Sequence, residues 1–327
     1  MAPILRHVFV IEPGFPSCLR GRSERLHGQA VRRVSIAVII NPISGGARKD
    51  AAAGRASLAA AIIERHGESA AVFVTERSGH ARELALVAVG QGARLVMAWG
   101  GDGTINEVAS ALAFGGVPLG IIAAGSGNGL ATELGVDRRP ELAIARSLQA
   151  TPAAIDVGEL GGRLFVNVAG IGIDAHVAWQ FNQAHNVGRG FAGYVRIGAR
   201  ALFSYPPATY TITTGEGRTS VRAVLVVAAN GAQYGNGARI APGARVDDGQ
   251  LELVVVEERS RMMTLLQTPR LFNGTMARVT GCSIRRLREA TIECADPMIF
   301  HVDGEPIQGG TTLVARVHPG ALRVCIS

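Results

Sequence analysis

Three carboxylates and three glycine-rich loops are the groups in this sequence best suited to chemistry. The loops are Asn41-Pro42-Ile43-Ser44-Gly45-Gly46, Gly100-Gly101-Asp102-Gly103-Thr104 and Ala124-Gly125-Ser126-Gly127-Asn128-Gly129. Each follows an apolar run that reads as a strand. Clustered glycine lets a backbone approach a phosphate and aim N–H groups at it. Asp102 lies inside the second loop, poorly placed to touch a phosphate but well placed to hold Mg²⁺ or a bridging water. Thr104 and Glu107 have the T-x-x-E spacing of a capping box, which predicts a helix start. Far downstream, Asp303-Gly304-Glu305 sets two carboxylates either side of a glycine. Both could reach one cleft from a turn, and a carboxylate can take the proton of an attacking hydroxyl. Any one of these loops alone also reads as a tight strand-to-helix turn, and the D-G-E run alone as a surface hairpin turn.

Such groups need elements to position them. Apolar runs at 34–40, 71–74, 94–99 and 119–123 alternate with helical stretches at 50–66, 79–90 and 104–114. That alternation predicts a parallel α/β sheet, with all three loops at its carboxyl edge, where ligands bind. Past about residue 155 the rhythm changes to short strand-like runs at 164–168, 209–213, 222–228, 251–256, 290–293, 299–302 and 313–317. These predict an antiparallel β sandwich or barrel. The expected division is an N-terminal extension (1–34), an α/β nucleotide-binding domain (35–155), a β-sandwich domain for the lipid substrate (156–312) and a C-terminal segment (313–327) free to return to the first domain. Residues 174–204 look helical and stop at Tyr205-Pro206-Pro207. Arg189, Arg196 and Arg200 fall near one face of that stretch, beside Phe191, Tyr194, Ile197 and Phe203. It could sit near anionic headgroups or pack on the β domain.

Composition bounds the function class. The 327 residues are 47% hydrophobic, enough for a sizeable core, and carry a net charge of +7. Six arginines against two glutamates in residues 1–34 supply much of that charge. With aromatics at 5%, nucleic acid is not the expected partner; solubility and attraction to anionic surfaces are. Lys49 is the sole lysine and is followed by Asp50. Neither a Walker P-loop nor a protein-kinase strand lysine can be built from it. Cys18, Cys282, Cys294 and Cys325 form no C-x-x-C pair, and the expectation is reduced thiols in the cytoplasm. No apolar run approaches 18 residues, so no transmembrane segment is expected. The histidines form no metal set; His80 could start a helix.

The ordered set Asn41-Pro42-x-Ser44-Gly45, Gly100-Gly101-Asp102-Gly103-Thr104-x-Asn106-Glu107, Gly125-Ser126-Gly127-Asn128 and Asp303-Gly304-Glu305 resembles the diacylglycerol kinase catalytic-domain family. That family includes bacterial soluble lipid kinases, sphingosine kinases and ceramide kinases, and the resemblance spans roughly 35–327. It implies a nucleotide domain followed by a β sandwich, with the active site in the cleft between them. It implies ATP and Mg²⁺ as cofactors and transfer of the γ-phosphoryl group to a lipid hydroxyl, of diacylglycerol or a related lipid. Asn41, Pro42, Ser44, Gly45, Thr75, Gly100, Gly101, Asp102, Gly103, Thr104, Asn106, Glu107, Gly125, Ser126 and Asn128 match its nucleotide-binding positions. Glu305 matches the general base, with Asp303 beside it and Asp102 organising the Mg²⁺–nucleotide. The segment 242–251 matches one that holds a structural Mg²⁺ through Asp248 and the backbone carbonyls of Arg245 and Gln250; a plain Asp-Gly turn is the other reading.

The third loop departs from the P-x-G-T-x-N-D-F-A pattern of bacterial diacylglycerol kinases towards the G-S-G-N-x-L-A form of sphingosine and ceramide kinases. A sphingoid-base or ceramide-type kinase therefore stays open, as do a NAD kinase and a nucleotide- or lipid-binding relative without turnover. The implied setting is the cytoplasm with peripheral membrane association and a lipid substrate at the membrane surface; a homodimer is left open.

Overall fold

The computed structural model describes residues 9–10, 35–46, 51–183 and 191–326; of 9–10 and 191–195 it describes the backbone alone. The first part of the chain gives β1 (Phe9–Val10), β2 (Ile36–Ile40), α1 (Ala51–Arg65), β3 (Ala70–Val74), α2 (His80–Gly90), β4 (Leu95–Gly100), α3 (Asp102–Leu112), β5 (Leu119–Ala123), α4 (Gly129–Glu133) and α5 (Pro140–Gln149). The strands lie side by side in the order β1-β3-β2-β4-β5, all parallel. Within the expected extension, β1 supplies an edge strand beside β3; the rest of residues 1–34 lies outside the described residues, as does Lys49.

The apolar runs of this sheet are continuous because both faces are covered. Successive residues of a strand point to opposite faces. Ile36, Val38 and Ile40 of β2 accordingly join a core with α1 and α5, while Ala37 and Ile39 join one with α2 and α3. Parallel strands need a crossover each, so β2, β4 and β5 end at one edge, and the three glycine loops leave from it.

The second part gives β6 (Ala153–Leu160), β7 (Arg163–Phe165), β8 (Val168–Gly172), α6 (Ile173–Gln183), α7 (Phe191–Ser204), β9 (Ala208–Thr214), β10 (Gly217–Ala229), β11 (Leu251–Glu257), α8 (Arg261–Gln267), α9 (Pro269–Phe272), β12 (Cys282–Leu287), β13 (Glu289–Cys294), β14 (Ile299–Val302), β15 (Glu305–Gln308) and β16 (Thr312–Val324). Its strands pair antiparallel. β10 shows the two layers: Val226 and Ala228 enter one core, Leu225, Val227 and Ala229 the other. The expected architecture, a parallel α/β domain followed by an antiparallel β sandwich, is the one observed.

The expected strand at 164–168 is broken into β7 and β8. The N–H groups of Val166, Asn167 and Val168 bond the Asp303 carboxylate instead of a neighbouring strand. Position 155 falls inside β6, which pairs antiparallel with β16. The last strand crosses both domains: it pairs with β13 of the sandwich, and Val324 lies beside Leu119 of β5. No helix among the described residues is long and apolar enough to cross a membrane.

Candidate active site

The first loop is held by a cation that sequence reasoning missed. Arg55 on α1 donates to the carbonyl of Asn41, the Ser44 hydroxyl and the Ser44 carbonyl at 2.9, 2.9 and 3.0 Å, and its guanidinium lies over Trp99. The Asn41 side chain donates to Thr104 Oγ1 at 3.0 Å, tying the first loop to the second. Gly45 has φ 70° and sits where a Cβ would come within 2.6 Å of the Ala124 carbonyl oxygen. Only glycine fits both constraints. No local pattern marks Arg55; it matters because a helix turn brings it over the loop.

Asp102 clamps the second loop to the third. Its Oδ2 accepts from the Asn128 N–H at 2.8 Å and its Oδ1 from the Gly129 N–H at 2.7 Å. Burial pushes its carboxyl up to about 6, helped by the charge of Asp303 and opposed by those two N–H groups. A Cβ on Gly125 would lie 2.6 Å from Gly101 Cα, and one on Gly127 2.7 Å from Asp102 Oδ2. The loops nest because these glycines leave room for each other's backbone.

The capping box expected from Thr104 and Glu107 does not form. α3 begins at Asp102, its N-cap Gly101 has no side-chain cap, and Thr104 Oγ1 accepts from Asn41. Glu107 instead accepts from the N–H groups of Gly79 and Ala81 at 2.7 and 2.9 Å, capping the neighbouring helix α2, which begins at His80. A carboxylate at a helix N-terminus is stabilised by the unpaired amides and the helix dipole. The T-x-x-E spacing predicts a cap for α3 that the structure does not have, because both side chains are taken by partners on other elements.

Asp303 and Glu305 have opposite environments. They belong to the β14–β15 hairpin, whose two-residue loop Asp303-Gly304 has φ 46° and 88°, the positive pair a type I′ turn needs. The Asp303 carboxylate turns inward and accepts from the Val166, Asn167 and Val168 N–H groups and from the Asn106 amide, at 2.7 to 3.0 Å. Burial pushes it up while those donors pull it down. Glu305 faces the first domain: a Cβ on Gly103 would lie 2.8 Å from its Oε1. Confinement between the walls raises its carboxyl, and the Asn182 amide of α6 donates to it.

Asn41, Pro42, Ser44, Gly45, Thr75, Gly101, Asp102, Gly103, Thr104, Glu107, Gly125, Ser126, Asp303 and Glu305 thus line one cleft of about 1110 Å³. Phe181 and Asn182 of α6 close it from the second domain. Gly100, Asn106 and Asn128 stand behind its wall. Gly100 gives space to Thr104, Asn128 bonds Gly125 through both ends of its amide, and Asn106 donates to Asp303 and to the Leu164 carbonyl. Asn106 is a strut between domains.

The backbone of this cleft suits a nucleotide triphosphate: three glycine loops present N–H groups at one sheet edge and a helix N-terminus. Among the acids that line it, Asp102, Glu107 and Glu305 could hold Mg²⁺. Arg245, Asp248 and Gln250 lie elsewhere. Their loop is organised by Asp156, a buried carboxylate the sequence did not flag, which accepts from the Gly249 and Gly320 N–H groups at 2.6 and 2.8 Å. Asp248 Oδ1 accepts from the Gln250 N–H, and Arg245 pairs with Asp247. Among the described residues no three His, Cys, Asp or Glu side chains cluster to hold a metal.

A second cavity, of about 230 Å³, opens in the sandwich domain between β10, β11 and the helices α7, α8 and α9. Leu202, Leu225, Ile240, Val256, Leu271 and Met276 give it an apolar wall. Its polar corner is Asp174 and Tyr234. The Tyr234 hydroxyl donates to Asp174 Oδ2 at 3.1 Å, and His301 Nε2 pairs with the same oxygen at 2.9 Å. His301 lies on β14, and its Nδ1 accepts from the Gly304 N–H. The cavity's polar end is therefore joined through one side chain to the turn that carries Glu305.

Residues 35–160 match the diacylglycerol kinase catalytic domain, and residues 167–326 match the YegS C-terminal NAD kinase beta sandwich-like domain. The chain belongs to the diacylglycerol kinase catalytic-domain family. It is 32% identical over 277 residues to the probable lipid kinase YegS-like of Pseudomonas aeruginosa PAO1, covering 83% of this chain and 90% of that protein. It is 33% identical over 258 residues to the protein of the same name from Pseudomonas fluorescens, covering 77% and 84%. The crystal structure of a diacylglycerol kinase from Bacillus anthracis superposes with a TM-score of 0.67 at 18% identity, covering 90% of this chain and 97% of that one. At that identity the likeness speaks for the fold. The family accounts for the two-domain plan.

Proposed function

We propose that this chain transfers the γ-phosphoryl group of ATP to the hydroxyl of a lipid, diacylglycerol or a chemically similar acceptor. The observation that carries the reading is the approach of Glu305, from the sandwich domain, to Gly103 of the glycine loop across the cleft. Phosphate-binding backbone and a carboxylate base from separate domains then meet where an acceptor hydroxyl must lie.

ATP supplies the transferable group, and Mg²⁺ offsets the charge on its phosphates. The backbone of the three loops binds and orients the phosphates. Asp102 locks the second and third loops together and offers an acidic group to the cation. Glu305 takes the hydroxyl proton on a carboxylate oxygen as the oxygen–phosphorus bond forms; its raised affinity for a proton favours that task. Asp303 and Asn106 hold the turn against α3, so that Glu305 keeps its distance from Gly103. The apolar cavity behind Asp174 and His301 supports a lipid over a nucleotide as acceptor, because a hydrocarbon chain gains by leaving water there. A structural Mg²⁺ at Asp248, with the carbonyls of Arg245 and Gln250, would take no part in the transfer; its loop is organised by Asp156.

The test offers radiolabelled ATP and Mg²⁺ with diacylglycerol, ceramide, sphingosine and NAD in parallel. Label in an extracted lipid is the expected result. Label in NADP alone, or none in any acceptor, overturns the reading.

A further inference from the structure

We propose that the α8–α9 face is the surface by which this chain docks on an anionic phospholipid bilayer. α8 is amphipathic the wrong way round for a helix of a globular protein. Its inward side presents Thr264 and Gln267 to the sandwich cavity. Its outward side carries Met262, Met263, Leu265 and Leu266, and no residue of the helix is buried. Met262 and Leu266 are 59% and 69% exposed, and Phe272 of α9 and Phe203 at the end of α7 extend the patch. The Arg261 guanidinium bonds the Phe203 carbonyl and so joins the end of α7 to α8. Contiguous large apolar side chains on a surface mark a place where something else sits.

Charge selects the occupant. Residues 259–280 hold four arginines and no Asp or Glu; Arg259 pairs with Glu257, which leaves Arg261, Arg270 and Arg278 at the fringe. An apolar centre fringed by cations complements an anionic bilayer, where side chains enter the interface and guanidinium groups meet phosphates. A second copy of this chain would set arginines against arginines. The stretch singled out in the sequence is not the centre of this face. Ile197 and Ala201 of α7 are buried against the protein, Arg189 lies outside the described residues, and so do the side chains of Phe191 and Tyr194. The surface lies over the apolar cavity, whose outer wall is built partly by Thr264, Thr268 and Leu271. The inference rests on the lipid reading above for its purpose, and on exposure and charge for its place.

The test is co-sedimentation of the full chain with vesicles of phosphatidylcholine, with and without phosphatidylglycerol, and needs no turnover. Binding to the mixed vesicles, weakened by salt, is expected. Met262→Gln with Leu266→Gln should weaken it about tenfold or more. Arg270→Gln with Arg278→Gln should weaken it on the order of tenfold. Both variants should phosphorylate a short-chain, water-dispersed acceptor as the native chain does. Vesicle binding equal to native in both variants overturns the proposal. So does loss of a dimer on sedimentation velocity with vesicle binding intact, since the face would then be the chain's own interface. If the variants lose vesicle binding but no lipid is phosphorylated by the native chain, the docking face stands and the kinase reading falls.

Discussion

Two cavities among the described residues are built on opposite principles. In the large cleft, glycines at 45, 101, 103 and 125 remove side chains so that loops can nest and offer N–H groups. The small apolar cavity is made of side chains from strands and helices far apart in the chain. Backbone recognition suits a phosphate chain, whose oxygens are the same from one nucleotide to the next. Side-chain walls suit a hydrocarbon, where size and shape decide what enters. The Asp303-Gly304-Glu305 hairpin stands between them, with Glu305 in the cleft and His301 bonded to Asp174 at the edge of the apolar cavity. On the proposed reading, nucleotide binding falls to the first domain and acceptor choice to the second.

The contrast can be broken at several points. The largest effect expected is Glu305→Gln, which should lower kcat by about 10²–10⁴-fold while leaving the thermal shift with Mg²⁺–ATP unchanged. Native turnover in that variant would remove the base from the hairpin. Asp303→Ala leaves three backbone N–H groups and the Asn106 amide without their acceptor. A cost on the order of 3–5 kcal/mol in urea unfolding is expected, with activity lost through displacement of Glu305. If stability stayed native while turnover vanished, Asp303 would be a catalytic group and not a strut.

A smaller effect concerns the cleft's own charge. The Asp102 carboxyl is raised from 3.8 to about 6 in the folded chain. The folded state therefore holds this proton more tightly, and the stability it contributes is full below about pH 4 and lost as pH rises through about 6, at most roughly 3 kcal/mol. A cation at the site favours the ionised form, so the thermal shift caused by Mg²⁺–ATP should grow between about pH 5 and pH 7. A shift independent of pH would place the cation away from Asp102. The smallest effect is Val279→Phe, which partly fills the apolar cavity. It should raise KM for a long-chain acceptor about tenfold and leave KM for ATP alone. An equal rise for a short-chain acceptor would detach that cavity from the substrate.

Much of the cleft was legible because its signals are local. Glycine clusters at strand ends, the strand–helix alternation and the Asp-Gly pair of a two-residue hairpin are all written within a few residues. What stayed hidden depends on partners distant in sequence. Glu107 has the spacing of a cap for its own helix, yet its carboxylate reaches α2. Asn106 looks like one more loop residue, yet its amide meets Asp303, 197 positions away. Arg55, Asp156 and Asn182 carry no motif at all. The helix α8 was missed because its apolar residues face out, so the usual link between periodicity and a buried face fails.

For Asp303-Gly304-Glu305, the residue types alone dictate the turn. An Asp-Gly pair tolerates the positive φ of both corner positions, so the two carboxylates had to lie at a hairpin tip. Their different surroundings come from packing between distant parts of the chain. The hairpin packs against β8, which leaves the Val166, Asn167 and Val168 N–H groups pointing at Asp303 and turns Glu305 towards Gly103. A buried carboxylate must be met by donors, and the backbone donors come from the break between β7 and β8, more than a hundred residues earlier. No spacing within the motif could state which acid would be met and which would be left to the cleft.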